Sequence, residues 1–379
     1  MAEPFKNFIN PSVIKTMANC FKKNWSTFDT QGFISDASRN LEQLELKART
    51  DRLTDTMSHY LPQAFAHSCE IMLASLAPPL DEKISATTAN SNSISGWPVI
   101  ALTNYVAKHG QAHFDLSMES LKEMTKRSTS EFAIREFILQ QPNKTLETLH
   151  SWTKDHDHHV RRLASEGCRP RLPWGNHLKC FIDNPEPVID ILEKLKDDKQ
   201  EYVRRSVANN LNDIAKDHPQ RIIKLARTWL QDASNERQKL IRHACRTLIK
   251  AGDQQIFSVF GYQAPKLKAR LEILTPTINL GDVLQFNLQI DSQAKQTQAL
   301  IIDFIIHFRK ANGSSSKKVF KWREVKLAAN SKIELSKGQS IRKITTRKYY
   351  SGENLLEIMI NGQCLTKQTF DLMVTNDND

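Results

Sequence analysis

The sequence predicts an all-α repeat solenoid followed by an all-β sandwich. Three observations carry this reading. Apolar residues recur at helical spacing from the N-terminus to about residue 260. Within that helical stretch a motif returns at a period of ~40 residues, the spacing of stacked helix pairs. After about residue 265 the pattern becomes short alternating runs between turn signals. The boundary is placed between residues 264 and 265, giving a helical domain of residues 1–264 and a sandwich of residues 265–379.

Residues 1 to about 80 read as helices, with Leu41, Leu44, Leu46, Leu53 and Met57 at helical spacing. SATTANSNSISG, residues 85–96, is a polar connector inside the helical region. From about 98 to 260, helix follows helix with short breaks. HVRRLASEG begins at His159, YVRRSVANNL at Tyr202 and LIRHACRTL at Leu240. Val160, Val203 and Ile241 are equivalent, so the spacings are 43 and 38 residues. Such pairs are the HEAT or armadillo signature, and each buries its apolar face by stacking on its neighbours.

The strand region has its own period. LQFNLQI alternates Leu284, Phe286, Leu288 and Ile290, and ALIIDFIIHF puts Leu300, Ile302, Phe304, Ile306 and Phe308 on one face. Asn361-Gly362 and Asn312-Gly313 are hairpin turn signals.

Composition excludes several classes. With 40% hydrophobic and 25% charged residues, the chain is too apolar for disorder. No run approaches the ~20 apolar residues of a membrane span, and the N-terminus lacks a secretory apolar core. The six cysteines form no CxxC pair, which disfavours a zinc ribbon or redox dithiol. They read as reduced thiols of a cytoplasmic protein. Twelve glycines form neither a Walker loop nor a dinucleotide fingerprint, so no cofactor is expected. His156, Asp157, His158 and His159 are contiguous, and contiguous ligands rarely reach one ion from a turn, so no metal site is expected. Nothing suggests an obligate dimer, and a monomer is expected.

The net charge is +11. Between Pro265 and Tyr350 there are 17 Lys and Arg against 6 Asp and Glu, and the remainder balances at 36 of each sign. The excess therefore lies in the sandwich, where it suits a polyanion, nucleic acid first, or serves as a solubility surface. Its candidate DNA contacts are Lys317, Lys318, Lys321, Arg323, Arg342, Lys343, Arg347 and Lys348.

The repeat helices carry a second surface. In the second copy Val203, Val207, Leu211 and Ile214 form the buried stripe, while Arg205, Asn209 and Asp213 share another face. In the first, Arg162, Glu166 and Arg169 fall at i, i+4 and i+7. Repeat alignment equates Arg162 with Arg205 and His243, and Glu166 with Asn209 and Thr247. Arginines alone would suit phosphate. The carboxylates among them either form structural ion pairs or face a cation, bound or developing in a transition state. RPRLPWG, from Arg169 to Gly175, adds Arg171 and holds Trp174 on a proline-braced loop. Trp174 is either core or a stacking surface for a base or sugar.

At these residues the sequence resembles the AlkC family of bacterial alkylpurine DNA glycosylases, relatives of AlkD built from HEAT-like repeats. The matching stretches are Met124 to Phe137, ASEGCRPRLPWG at Ala164 to Gly175, and YVRRSVANNLNDIAKDHP at Tyr202 to Pro219. INLGDVLQFNLQI, IDFIIHFRKANG, KVFKWRE and TTRKYYSGEN resemble the immunoglobulin-like extension of one AlkC branch. The resemblance implies hydrolysis of the N-glycosidic bond of 3-methyladenine and 3-methylcytosine in double-stranded DNA, with the lesion left near the stack rather than flipped. It implies that Glu131, Glu166 and Asp213 are the active-site carboxylates, that Trp174 is the active-site tryptophan, and that Arg162 and Arg169 lie at the DNA surface. Arg171, Arg205 and His243 extend that expected DNA-binding set. No lysine suggests itself as a Schiff-base nucleophile, so no lyase step is expected. The other function classes are a HEAT scaffold for a protein partner and a catalytically inert DNA-binding protein.

Overall fold

The computed structural model describes residues 4–79 and 92–374. Among these are sixteen α-helices followed by eight strands. Residues 80–91, which hold much of the polar connector, lie outside the described residues. No described helix is long and apolar enough to cross a membrane.

Local chemistry starts the helices. The Asn10 side chain accepts from Val13 N, and Pro11 takes the first position of α1 (Pro11–Asn24). Asp29 caps α2 (Thr30–Ser38) by accepting from Gly32 N. The stripe from Leu41 to Met57 is broken rather than continuous. Asn40 is left-handed (φ 52°), Leu41–Gln43 is a 3₁₀ turn, and α3 (Leu46–Tyr60) begins only afterwards. α4 (Phe65–Ala74), α5 (Val99–His109), α6 (Phe114–Thr125), α7 (Ile134–Gln140) and α8 (Pro142–Trp152) follow.

The repeat motif lies on α9 (His158–Glu166), α12 (Glu201–Ile214) and α14 (Asn235–Ala244), with α10 (Lys179–Asp183), α11 (Glu186–Leu195) and α13 (Pro219–Trp229) between them. Helix α12 packs against both α9 and α14, as neighbouring repeats require. Val160 and Leu163 of α9 and Val203, Val207, Leu211 and Ile214 of α12 are all buried. The third copy is not one helix. It breaks at Cys245, and Thr247 falls on α15 (Arg246–Ala251), which α16 (Gln254–Val259) follows.

The strands are β1 (Leu267–Ile273), β2 (Thr277–Asn279), β3 (Val283–Ser292), β4 (Gln298–Arg309), β5 (Ser315–Leu327), β6 (Lys332–Ser340), β7 (Gly352–Ile360) and β8 (Gln363–Met373). They form a three-stranded sheet, β1-β3-β6, and a five-stranded sheet, β2-β8-β7-β4-β5. All neighbours are antiparallel except the β2–β8 pair. The alternating residues of β3 and β4 predicted to face inward form the core between the sheets, with Leu356, Ile358 and Ile360 of β7. Asn361 (φ 47°) and Gly362 (φ 78°) make the β7–β8 turn, the left-handed pair that a two-residue hairpin requires.

The chain folds as two compact units. One is residues 1–218 with 232–244; the other is residues 219–231 with 245–379. Helix gives way to strand between Val259 and Leu267, yet α15 and α16 belong to the sandwich unit. Within it, Gln254 Nε2 donates to Asn361 O at 3.1 Å, and a Cβ on Gly362 would lie 2.6 Å from the Phe257 ring.

Candidate active site

Asp157 caps α9 by accepting from His159 N at 2.7 Å, a contact worth about 1 kcal/mol to a helix start. This fixes the helix that carries Arg162 and Glu166. Opposite it, Ser206 on α12 shares a hydroxyl pair with Ser165 at 2.7 Å, and Asn210 Nδ2 donates to Ser165 O at 2.8 Å. Two apolar stripes with a polar seam between them thus set α9 beside α12.

On that seam the five predicted charges join in one chain. Arg162 Nη1 donates to Glu131 Oε2 and, at 3.1 Å, to Thr129 Oγ1. Its Nη2 lies 3.5 Å from Glu166 Oε1. Arg169 Nη1 donates to the same Glu166 oxygen at 2.6 Å, and Arg169 Nε donates to Asp213 Oδ2 at 2.8 Å. Ser206 Oγ donates to Glu166 Oε2 at 2.7 Å, and Lys216 Nζ to Asp213 Oδ1 at 3.0 Å. The order is therefore Glu131–Arg162–Glu166–Arg169–Asp213.

Burial would raise the Glu166 carboxyl, but the Arg162 and Arg169 guanidiniums and the Ser206 hydroxyl outweigh it and hold it below its ordinary value. Burial likewise opposes the charge on Arg162, and Glu131 and Glu166 overcome it, so its proton is held more tightly than usual. The Tyr202 ring lies under Arg162, 5.4 Å from guanidinium carbon to ring centroid. Burial pushes the Tyr202 hydroxyl up.

A cleft of about 390 Å³ opens onto this chain. Glu131, Arg162, Glu166 and Arg169 line it together with Trp97, Pro173 and Trp174. Trp174 is 71% exposed and sits at φ 64°, a left-handed conformation that costs about 1–2 kcal/mol for a residue with a Cβ. Its ring meets Phe5 edge-on at 6.3 Å and Trp97 at 6.5 Å. The structure thus places Trp174 as a wall of the cleft and not as core.

The carboxylates differ in access. Both oxygens of Glu166 are engaged, and so are both of Asp213, which is 2% exposed and does not line the cleft. Glu131 Oε2 takes Arg162 and Thr129, whereas no described residue donates to Oε1. Among the three, Glu131 presents a vacant acceptor.

The helical region and the sandwich each match a known family. Residues 101–248 match the family described as DNA alkylation repair enzyme, and residues 268–374 match the C-terminal Ig-like domain of the uncharacterised protein YhaZ. YhaZ of Bacillus subtilis (strain 168) is 35% identical over 373 residues, 97% of this chain and 99% of YhaZ. The solved structure of Pseudomonas fluorescens alkylpurine DNA glycosylase AlkC, bound to DNA containing an abasic site analog, aligns with a TM-score of 0.88 at 34% identity. That alignment covers 98% of this chain and 100% of the other. This chain belongs to the AlkC family. Its helical region and its Ig-like sandwich both follow the AlkC fold.

The basic residues of this AlkC-family chain divide into those held in ion pairs and those left exposed. Arg162 and Arg169, expected at the DNA surface, are largely buried and held by carboxylates, Arg162 by Glu131 and Glu166 and Arg169 by Glu166 and Asp213, which is the ion-pair reading of these charges. Arg171 forms a two-point pair with Asp217 at 2.8 and 2.9 Å. Arg205 is exposed, 3.8 Å from Glu201, and His243 is half-buried on α14. In the sandwich unit, Lys317, Lys318, Lys321 and Arg323 are exposed on β5, an edge strand, with Lys321 paired to Glu324 at 3.0 Å. Arg342, Lys343 and Lys348 are also exposed. Arg347 is half-buried, its guanidinium 4.3 Å from the Phe308 ring centroid and 5.8 Å from that of Tyr349, so it packs as much as it projects.

Thr129, Tyr202, Ser206 and Trp97 were not singled out from sequence. Thr129 stands two residues before Glu131, and Tyr202 and Ser206 lie in a stretch that carries the family resemblance. Trp97 adjoins the polar connector and has no local signature.

Proposed function

We propose that this protein is a monofunctional DNA glycosylase that hydrolyses the N-glycosidic bond of cationic alkylated bases in double-stranded DNA. The substrates are 3-methyladenine and, with it, 3-methylcytosine. The observation that carries the reading is the chain of three carboxylates and two arginines beside Trp174, in a protein of the AlkC fold.

The chemistry follows from charge. A base methylated at N3 is already cationic and leaves without a strong general acid. Positive charge then passes to the deoxyribose as an oxocarbenium-like ion. Two unit charges at 4 Å attract by ~4 kcal/mol at an effective dielectric of ~20. Even a fraction of that, realised only in the transition state, accelerates the reaction by orders of magnitude. Glu131 lines the cleft, and its oxygen without a donor suits the developing cation or the attacking water. Glu166 and Asp213 keep the two arginines neutralised, so the cleft does not repel a cationic base. Trp174 supplies an electron-rich ring for the sugar and excludes water on its side.

The open cleft, walled on one side by an exposed tryptophan, is consistent with a lesion that remains near the stack, whereas base-flipping enzymes enclose the base in a fitted pocket. The boundary between residues 264 and 265 separates, in this reading, the chemistry from a basic DNA clamp. The test is release of 3-methyladenine from methylated DNA in EDTA, by wild type and by Asp213→Asn. Release by wild type alone supports the reading. Salt-sensitive DNA binding without release by either protein would leave the carboxylates as ion pairs of a DNA-binding scaffold.

A further inference from the structure

Arg135, on α7, is the largest fully buried side chain among the described residues, at 1% exposure. A buried cation ordinarily has a carboxylate. Among the described residues none pairs with Arg135. Its partners are backbone carbonyls: Nη1 donates to Gly167 O at 2.9 Å and to Arg169 O at 2.8 Å, Nε donates to Asn176 O at 3.0 Å, and Nη2 donates to the same oxygen. Burial, with the nearby Arg169 charge acting in the same direction, brings its pKa down to about 10 against the opposing pull of Glu131 and Asp213, so the guanidinium stays charged at neutral pH.

All three carbonyls belong to residues 167–176, the loop that carries both Arg169 and Trp174. The loop closes on itself through Gly175 N to Leu172 O at 3.2 Å and Leu178 N to Pro170 O at 3.0 Å. Helix α7 is pressed onto its start, since a Cβ on Gly167 would lie 2.5 Å from Ile134 Cγ2. A Cβ on Gly175 would lie 3.5 Å from Arg135 Nε. One guanidinium therefore ties the two ends of the loop, and the left-handed Trp174 is suspended between them.

We infer that Arg135 is a positioning residue for the active-site loop, setting Trp174 and Arg169 against Glu131, Glu166 and Asp213 through the carbonyls of Gly167, Arg169 and Asn176. The inference rests on the glycosylase reading for its kinetic consequence. A planar fork with five donors serves three carbonyls, whereas a lysine ammonium in the same place keeps the charge and cannot span both loop ends. The charge alone is thus not the function.

The experiment compares wild type, Arg135→Lys, Trp174→Phe and the double variant, with Arg135→Gln as a second probe. Two readouts are taken below each variant's melting temperature: release of 3-methyladenine, split into kcat and KM, and acrylamide quenching of tryptophan emission without DNA. The Trp174 contribution is the difference from the matching Trp174→Phe protein. Arg135→Lys is expected to lower kcat by ~10–100-fold with KM little changed, as a misplaced loop should. In the Trp174→Phe background its effect should shrink, because both changes disable the same wall. Trp174 quenching should also change. Full kcat in Arg135→Lys, or losses that simply multiply in the double variant, would overturn the inference. If wild type releases no base, the glycosylase reading fails, and quenching still decides the positioning role. An unchanged Trp174 contribution in Arg135→Lys and Arg135→Gln would refute it.

Discussion

Arg169 donates through Nε to Asp213 Oδ2 at 2.8 Å, across 44 residues of sequence, and both side chains are buried. The pair joins the loop after α9 to the next repeat. Asp213→Asn retains an acceptor for Arg169 but removes a buried charge that Arg169 and Lys216 share. Base release is expected to fall by ~10²–10³-fold, the scale of losing one preorganised electrostatic partner. DNA binding should persist. Single-turnover release with a parallel binding titration checks both, and loss of binding together with release would point to a structural role.

Glu131 and Glu166 should separate stability from activity. Glu166→Gln leaves two buried arginines short of one carboxylate and is expected to destabilise the fold by about 3 kcal/mol. Glu131→Gln disturbs one arginine, keeps an oxygen for Thr129, and should cost less than half of that while lowering release at least as strongly. Denaturant midpoints of the two variants, set beside their release rates, make the comparison.

The acid stability of the protein should depend on Glu166. Its folded carboxyl lies below the ordinary value of 4.5, so the stabilisation is complete above about pH 4.5 and is lost as pH falls through the lower folded value. Melting temperature should drop as pH is lowered below about 4.5, and this drop should be shallower in Glu166→Gln. Equal slopes in the two proteins would assign the acid limb elsewhere, for instance to Glu123, which Lys126 and Arg127 depress against its own burial.

Trp174→Gly is expected to lower release by ~10-fold or more through loss of a stacking surface. Its stability should stay within about 1 kcal/mol of wild type, because the missing ring packing and the relieved left-handed strain oppose each other. A large fall in melting temperature would mean that the exposed ring is structural.

The sandwich lysines should act through phosphate. Replacing Lys317, Lys321 and Lys348 by alanine is expected to flatten the plot of log K against log salt by ~0.9 for each phosphate no longer neutralised, with kcat at saturating DNA preserved. An unchanged slope would remove β5 and its neighbourhood from the DNA footprint.

The period of each domain was legible in the sequence. Alternation in β3 and β4 placed Leu284 to Ile290 and Leu300 to Phe308 in the core, and the repeat equated Val160 with Val203 on packed helices. Such patterns survive in one dimension because a helix or strand presents its buried face at a fixed period. Glu166 and Asp213 were legible as carboxylates sharing a face with arginines, Trp174 as a residue of a proline-braced loop, and Glu131 through the family resemblance. Which arginine each carboxylate would hold was not. Nothing local distinguishes an arginine bound for phosphate from one that a carboxylate 44 residues away will hold, as Asp213 holds Arg169. Nor does the sequence show that Arg135, next to Glu136 on a short helix, turns inward to bind carbonyls 32 to 41 residues further on. Periodicity determined which faces are buried. Packing of α7 and α12 around the loop after α9 decided which charges meet there, because ion pairing depends on distance in space and residue order sets only distance along the chain.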